Sequence, residues 1–182
     1  EGKRFISELE TRDVVSKAEL DQTGKSAFLI FDQSVRENLG AINGYVRRKL
    51  AVEGATLEEL AQKVGIDGKT LVKTMKTYNG YVKAGADKDF GKTVLPRELV
   101  KAPFYAIEVS PAVHHTMGGV RINTEAQVLT ADGKVIPGLY AAGEITGGVH
   151  GANRIGGNAV TDITVYGKTA GENAADFAKN SK

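Results

Sequence analysis

Between Gly138 and Ala159 the chain reads GLYAAGEITGGVHGANRIGGNA, with seven glycines, one acid (Glu144), one histidine (His150) and one arginine (Arg154). Glycine loses more conformational freedom on folding than any other residue. A cluster this dense is kept where the main chain turns tightly or must lie directly against something. The segment from Asn158 onward, NAVTDITVYGKTAGENAADFAKN, reads as a long helix with small residues on one face. Gly156 and Gly157 therefore stand at a helix start, where free N–H groups suit an anion or a carbonyl oxygen. Arg154 sits just before it, with a guanidinium able to grip a carboxylate through two parallel bonds. A lone loop arginine is ordinarily a solvated surface cation, but between two glycine clusters that reading weakens. Glu144 follows LYAAG, read as a buried strand whose small side chains admit a flat ring or a ribityl chain.

The 182 residues suffice for one ordinary domain or two small ones. With 41% hydrophobic and 25% charged residues the chain has a globular profile, and a net charge of +2 gives no electrostatic case for nucleic acid or an anionic membrane. No apolar run approaches a membrane span. The absence of cysteine excludes disulfides, thiolate chemistry, iron–sulfur ligation and c-type haem attachment within these residues. The opening EGKRFISELETRD has no initiator Met, signal peptide or polar leader, and it reads as a segment from inside a longer protein.

Along the chain, TRDVVSKAEL predicts a short helix and SAFLIFD a buried strand. TLEELAQKVG carries Thr56 and Glu59 at capping-box spacing and stops at Gly65. DGKTLVKTMKTYNGYVKAG places Leu71, Met75 and Tyr78 on one face behind Asp67 as a cap, a stripe that reads as core. From Phe104 short strands are predicted, at FYAIEV, GGVRIN, AQVLT and, after the turn ADGKVIPG, LYAAGE. A boundary near residues 110–114 separates a helix-rich part from a strand-rich part that ends in a helix.

Four Gly-Lys-Ser/Thr triplets, at Gly24, Gly68, Gly91 and Gly167, lack the glycine five positions earlier that a phosphate loop requires. Two of the three histidines, His114 and His115, are adjacent in VHHTMGG. Neighbours on an extended backbone point to opposite sides, so one of them at most faces a given pocket. The third histidine is too distant for close metal-ligand spacing, and no nucleophile elbow accompanies the pair. Alone, the pair reads as one strand-end and one core histidine.

Taken together, TRD, HHTMGGVRINTEAQVL and GLYAAGEITGGVHGANRIGGNAVTDITVYGKTAG resemble the soluble fumarate reductase flavoproteins of the flavocytochrome c type, within the succinate dehydrogenase and fumarate reductase flavoprotein family. The likeness covers essentially the whole chain, with its specific part in residues 112–170. It implies a mixed α/β and α+β fold: the C-terminal part of a Rossmann-type FAD-binding domain with part of an inserted capping, or clamp, domain. On that template residues 1–113 are the later part of the clamp domain, and residues 114–182 are the return segment of the FAD domain. The family's G-x-G-x-x-G fingerprint and its proton-feeding residues are absent from this sequence.

The resemblance carries roles to individual positions. Arg12 matches the arginine that delivers a proton to the substrate. His114 and Arg154 match residues that bind the substrate carboxylates. Glu144 matches the acid at the FAD ribityl region, while His115, Gly156, Asn158, Ala159 and Val160 fall beside the flavin ring. Carbonyls near Thr116, Met117, Gly118, Glu144 and Thr146 match a structural cation site. The implied cofactor is FAD, with haem c or covalent FMN elsewhere in the parent protein. The implied partners are a small dicarboxylate, the remaining segments of the same protein and an electron donor, in the periplasm.

The chemistry is coherent by itself. Saturating an activated C=C bond needs a hydride at one carbon and a proton at the other, and no side chain carries hydride. A free guanidinium keeps its proton to above about pH 12, so Arg12 serves as an acid only if a relay reprotonates it. Arg12 lies about 100 residues before His114, and joining the substrate grip requires clamp closure. The alternatives are reduction of urocanate, acrylate or methacrylate, an L-aspartate-oxidase-like enzyme, and a non-catalytic binding module. A ketosteroid dehydrogenase fits less well, since a steroid offers no carboxylate to the Arg12, His114 and Arg154 set.

Overall fold

The computed structural model describes residues 1–181, which divide into two compact units, Glu1–Pro111 and the part from Ala112 onward. In the first unit, strands β1 (Ala27–Asp32), β2 (Ala51–Gly54) and β3 (Phe104–Val109) form an antiparallel sheet with β3 in the middle. FYAIEV, the first of the run of strands in the sequence, is thus the centre of this unit's sheet. Its partners lie some fifty to eighty residues earlier, a pairing that local pattern does not reveal.

Helices α1 (Arg12–Leu20), α2 (Gln33–Asn38), α3 (Ala41–Arg47), α4 (Leu57–Val64) and α5 (Gly68–Ala84) complete the unit. Strand alternation puts Phe31 and Tyr105 on one face, where they stack at 5.3 Å and form the core with Ile42. The Tyr105 hydroxyl accepts from Arg36 and donates to Gln33, so this buried ring leaves no polar group unpaired. Helix α4 packs on β2, β3 and α5; Leu60 and Ala61 are fully buried, with Leu60 against Gly54 of β2 and Ala61 toward Gly68 of α5.

Helix starts follow the sequence signals. Thr56 accepts the Glu59 amide at 3.1 Å, while the Glu59 carboxylate reaches one residue further back than a standard capping box, to the Ala55 amide. Asp67 accepts the Thr70 amide at 2.7 Å. Asp32 both caps α2 and ties down a distant segment. One oxygen takes the Ser34 and Val35 amides and the other takes those of Val100 and Lys101. Burial would raise this carboxyl, but those bonds, with the Ser34 hydroxyl, hold it below its ordinary value.

In the second unit, β4 (Val120–Arg121) runs parallel to β7 (Thr146–Gly147), and β5 (Gln127–Leu129) pairs antiparallel with β6 (Val135–Tyr140). Helix α6 (Asn158–Asn180) packs on β6, with Phe177 edge-on to Tyr140 at 6.5 Å. The strand expected at LYAAGE is displaced: β6 begins inside the expected turn and ends at Tyr140. It carries Pro137 and Gly138 through an irregularity in its pairing with β5, which is how a strand tolerates two breakers. Gly138 has φ +77°, and a Cβ there would stand 2.8 Å from the Phe177 ring.

Candidate functional site

Part of the glycine cluster serves chain-on-chain packing. Gly119 and Gly147 face each other across the β4–β7 pair. A Cβ on Gly147 would come 2.7 Å from the Gly119 nitrogen, and one on Gly119 would overlap the Ile145 carbonyl. The same strands border an open cleft of 530 Å³ lined by Gly118, Gly119, Gly147 and Gly148, with Arg121 and Tyr166 among its walls. Bare backbone is therefore both packed and presented here. Helix α6 starts from Gly157 at φ +89° with no side-chain cap, and the Asn158 and Val160 amides already donate to the Ile155 and Gly157 carbonyls.

Arg154 is buried, at 8% exposure, and is no surface cation. Its Nη1 donates to the Ile155 carbonyl at 3.4 Å, while its Nε is enclosed with no hydrogen-bond partner among the described residues. Enclosed in this way the Nε meets no ligand from outside, and any two-bond contact with an anionic oxygen would fall to the terminal nitrogens of the guanidinium. His115 is half-buried. Its Nδ1 accepts the Met117 amide at 3.2 Å, and its ring stands perpendicular to that of His150 at 5.4 Å. His150 in turn meets Asp162, with 3.1 Å between Nε2 and Oδ2.

Glu144 is exposed and accepts the Thr116 amide at 3.0 Å. The Thr116 hydroxyl lies 3.2 Å from both the Gly118 and the Glu144 carbonyl oxygens, which brings these two carbonyls to one donor. Thr146 is buried and donates to the Gly143 carbonyl at 2.7 Å. Met117 lies in this segment at φ +52°. His114 is exposed, on irregular backbone ahead of β4. Asn158, Ala159 and Val160 form the first turn of α6 behind Gly156 and Gly157. Arg12 is exposed at the first residue of α1 and belongs to the other unit.

A family model described as FAD binding domain matches residues 1–160. The chain belongs to that family. A fumarate reductase (cytochrome) of Shewanella frigidimarina is 55% identical over 181 residues, covering 100% of this chain and 32% of the relative. An NADH:acrylate oxidoreductase of Vibrio harveyi is 45% identical, over 97% of this chain and 18% of that protein. Among solved structures, the open conformation of a flavocytochrome c3 fumarate reductase matches with a TM-score of 0.78 and 49% identity, over 97% of this chain and 31% of that one. The chain spans about a third or less of the length of these relatives. The likeness read from the sequence is borne out, and so is the α/β class that goes with it.

The residues present fit an FAD. A cleft walled by glycine backbone admits a flat ring, and the glycine turn ahead of α6 is a second stretch of bare backbone beside which a ligand can lie; Arg154 and the start of α6 are not among the residues that line the cleft. The sequence reading missed the His150–Asp162 pair. A histidine in a loop and an acid twelve residues later on a helix share no periodicity, and the only sequence signal is an Asp in the first turns of an otherwise small-residue helix. No helix among the described residues is long and apolar enough to cross a membrane.

Proposed function

We propose that the full-length protein carrying this chain reduces the C=C bond of an unsaturated carboxylate, fumarate to succinate, with FAD as cofactor. The observation that carries the reading is the buried Arg154, set in a glycine-rich loop, in a chain 55% identical to part of a fumarate reductase. Arg154 and His114 grip and orient the substrate carboxylates, which fixes the double bond for attack. The hydride is the chemistry that bound FAD supplies. Arg12 gives the proton to the other carbon and is recharged by a relay beyond these residues.

In the same proposal, His115, Gly156, Asn158, Ala159 and Val160 border the flavin, and Glu144 contacts its ribityl chain. Residues 1–113 serve as the later part of a clamp domain and residues 114–182 as the return of the FAD domain. The oxygens around Thr116, Met117, Gly118, Glu144 and Thr146 hold a structural cation. Electrons come from a donor protein or an attached haem c or FMN domain, as part of anaerobic electron transport in the periplasm. The relative named for acrylate supports a second reading, reduction of a monocarboxylate at the same site.

The test is dye-coupled anaerobic reduction by the full-length protein across fumarate, urocanate, acrylate and methacrylate. Fumarate is expected to give the highest kcat/KM. A preference for acrylate favours the second reading. A colourless protein that takes up no FAD overturns both and leaves a binding module.

A further inference from the structure

The His150–Asp162 pair is absorbed by none of these roles. Its side chains are 10% and 2% exposed, and within residues 148–157 only His150 and Arg154 turn inward while the rest are exposed. That stretch contains four glycines, Gly148, Gly151, Gly156 and Gly157, so its backbone is costly to order and few side chains are available to hold it. His150 meets all the neighbouring parts at once. Its Nε2 lies 3.1 Å from Asp162 on α6, its ring stands against His115, and Arg154 follows four residues later. His115 is itself fixed by the Met117 amide.

We propose that His150, anchored by Asp162, is a positioning residue for the carboxylate grip. It pins the glycine-rich loop to the start of α6, so that the Arg154 guanidinium is held in one orientation and His115 is backed by a fixed ring. The inference rests on the proposed role of Arg154 as the carboxylate clamp. Loss of the anchor leaves every group that touches substrate in place chemically, but no longer holds the loop in register.

The experiment uses the full-length holoprotein, wild type and with His150→Leu or His150→Gln. Fumarate is titrated against the oxidised flavin band to obtain Kd, and KM, kcat and flavin content are measured alongside. His150→Leu should weaken fumarate binding by about ten- to a hundredfold, the range that small misplacements of a positioning group produce, with flavin content retained. The Gln amide N–H can still reach Asp162, so His150→Gln should recover most of that loss. A residue that merely supports folding would lower thermal stability without changing Kd in the folded fraction. Should His150→Leu fail to take up flavin, His150→Asn, polar but too short to reach Asp162, takes its place with the same expected loss. A wild-type flavin band that ignores fumarate overturns the carboxylate reading and this inference with it. A wild-type response that persists unchanged in the Leu or Asn variant overturns the positioning role alone.

Discussion

Replacing Arg4 by methionine removes the cation from an enclosed ion-pair cluster in the first unit. The guanidinium makes two bonds to Glu8, at 2.8 and 2.9 Å, and one of 2.8 Å to Asp87, and it lies 4.9 Å from the centre of the Phe90 ring. The Asp87 side chain is fully enclosed. The bond from Arg4, helped by the Asp89 and Phe90 amides and opposed by burial, holds its carboxyl at about 2 instead of the ordinary 3.8. At about 1.4 kcal/mol per pH unit, that depression links on the order of 2 kcal/mol of stability to the Asp87 charge. Because the folded value lies below the unfolded one, the contribution is complete above about pH 4 and is lost as pH falls toward 2. Arg4→Met keeps apolar bulk against Phe90 but leaves the carboxylate with only the Asp89, Phe90 and Lys92 amides, which should cost about 1.5–3 kcal/mol at pH 7. Urea denaturation of the chain, followed by circular dichroism from pH 7 to pH 2, reads both effects. The wild-type and variant stabilities should converge as the solution is acidified. Curves that stay parallel, or a variant within about 0.5 kcal/mol of wild type at pH 7, would refute the ion-pair account.

Arg154→Ala should nearly abolish reduction with FAD still bound, since losing a charged clamp costs about 2–5 kcal/mol. Arg154→Lys should also be poor, because a point charge does not reproduce the two-bond grip; near-normal kcat/KM in either variant counts against the clamp. Arg12→Gln should collapse kcat with KM nearly unchanged and flavin reduction by an external donor intact. A raised KM at full turnover would instead make Arg12 a carboxylate binder. Gly119→Ala should cost about 3 kcal/mol or prevent folding, because its Cβ would overlap the Ile145 carbonyl; an unchanged melting temperature would show that β4 and β7 do not approach this closely.

Helices α4 and α5 were legible because their signals are local: Thr56 and Asp67 cap amides three residues on, and Gly65 and Gly85 end the helices in left-handed geometry. The bounds of β6 were not, since Pro137 and Gly138 read as a turn. What makes them a strand is nonlocal, namely a bulged pairing with β5 and the Phe177 ring against Gly138. Asp32 and the Arg4–Asp87 pair were invisible for the same reason, their partners lying 68 to 83 residues away. At the candidate site, residue chemistry marked the glycine loop and Arg154, and the structure shows that arginine buried. Individual roles for Arg12, His114 and Glu144 came from family likeness, because no spacing in this sequence encodes them.

In the proposed function, flavin electrons in this protein pass to the double bond of an unsaturated carboxylate. Single-turnover reoxidation tests it most directly: the full-length protein is reduced under anaerobic conditions, mixed rapidly with fumarate, and followed at the flavin absorption band with succinate assayed at the end. The bleached band should return with one succinate formed for every two electrons drawn from the reduced protein, and Arg154→Ala should hold the flavin reduced. A flavin that stays bleached in the wild-type protein, for fumarate and for every related unsaturated acid, would contradict it.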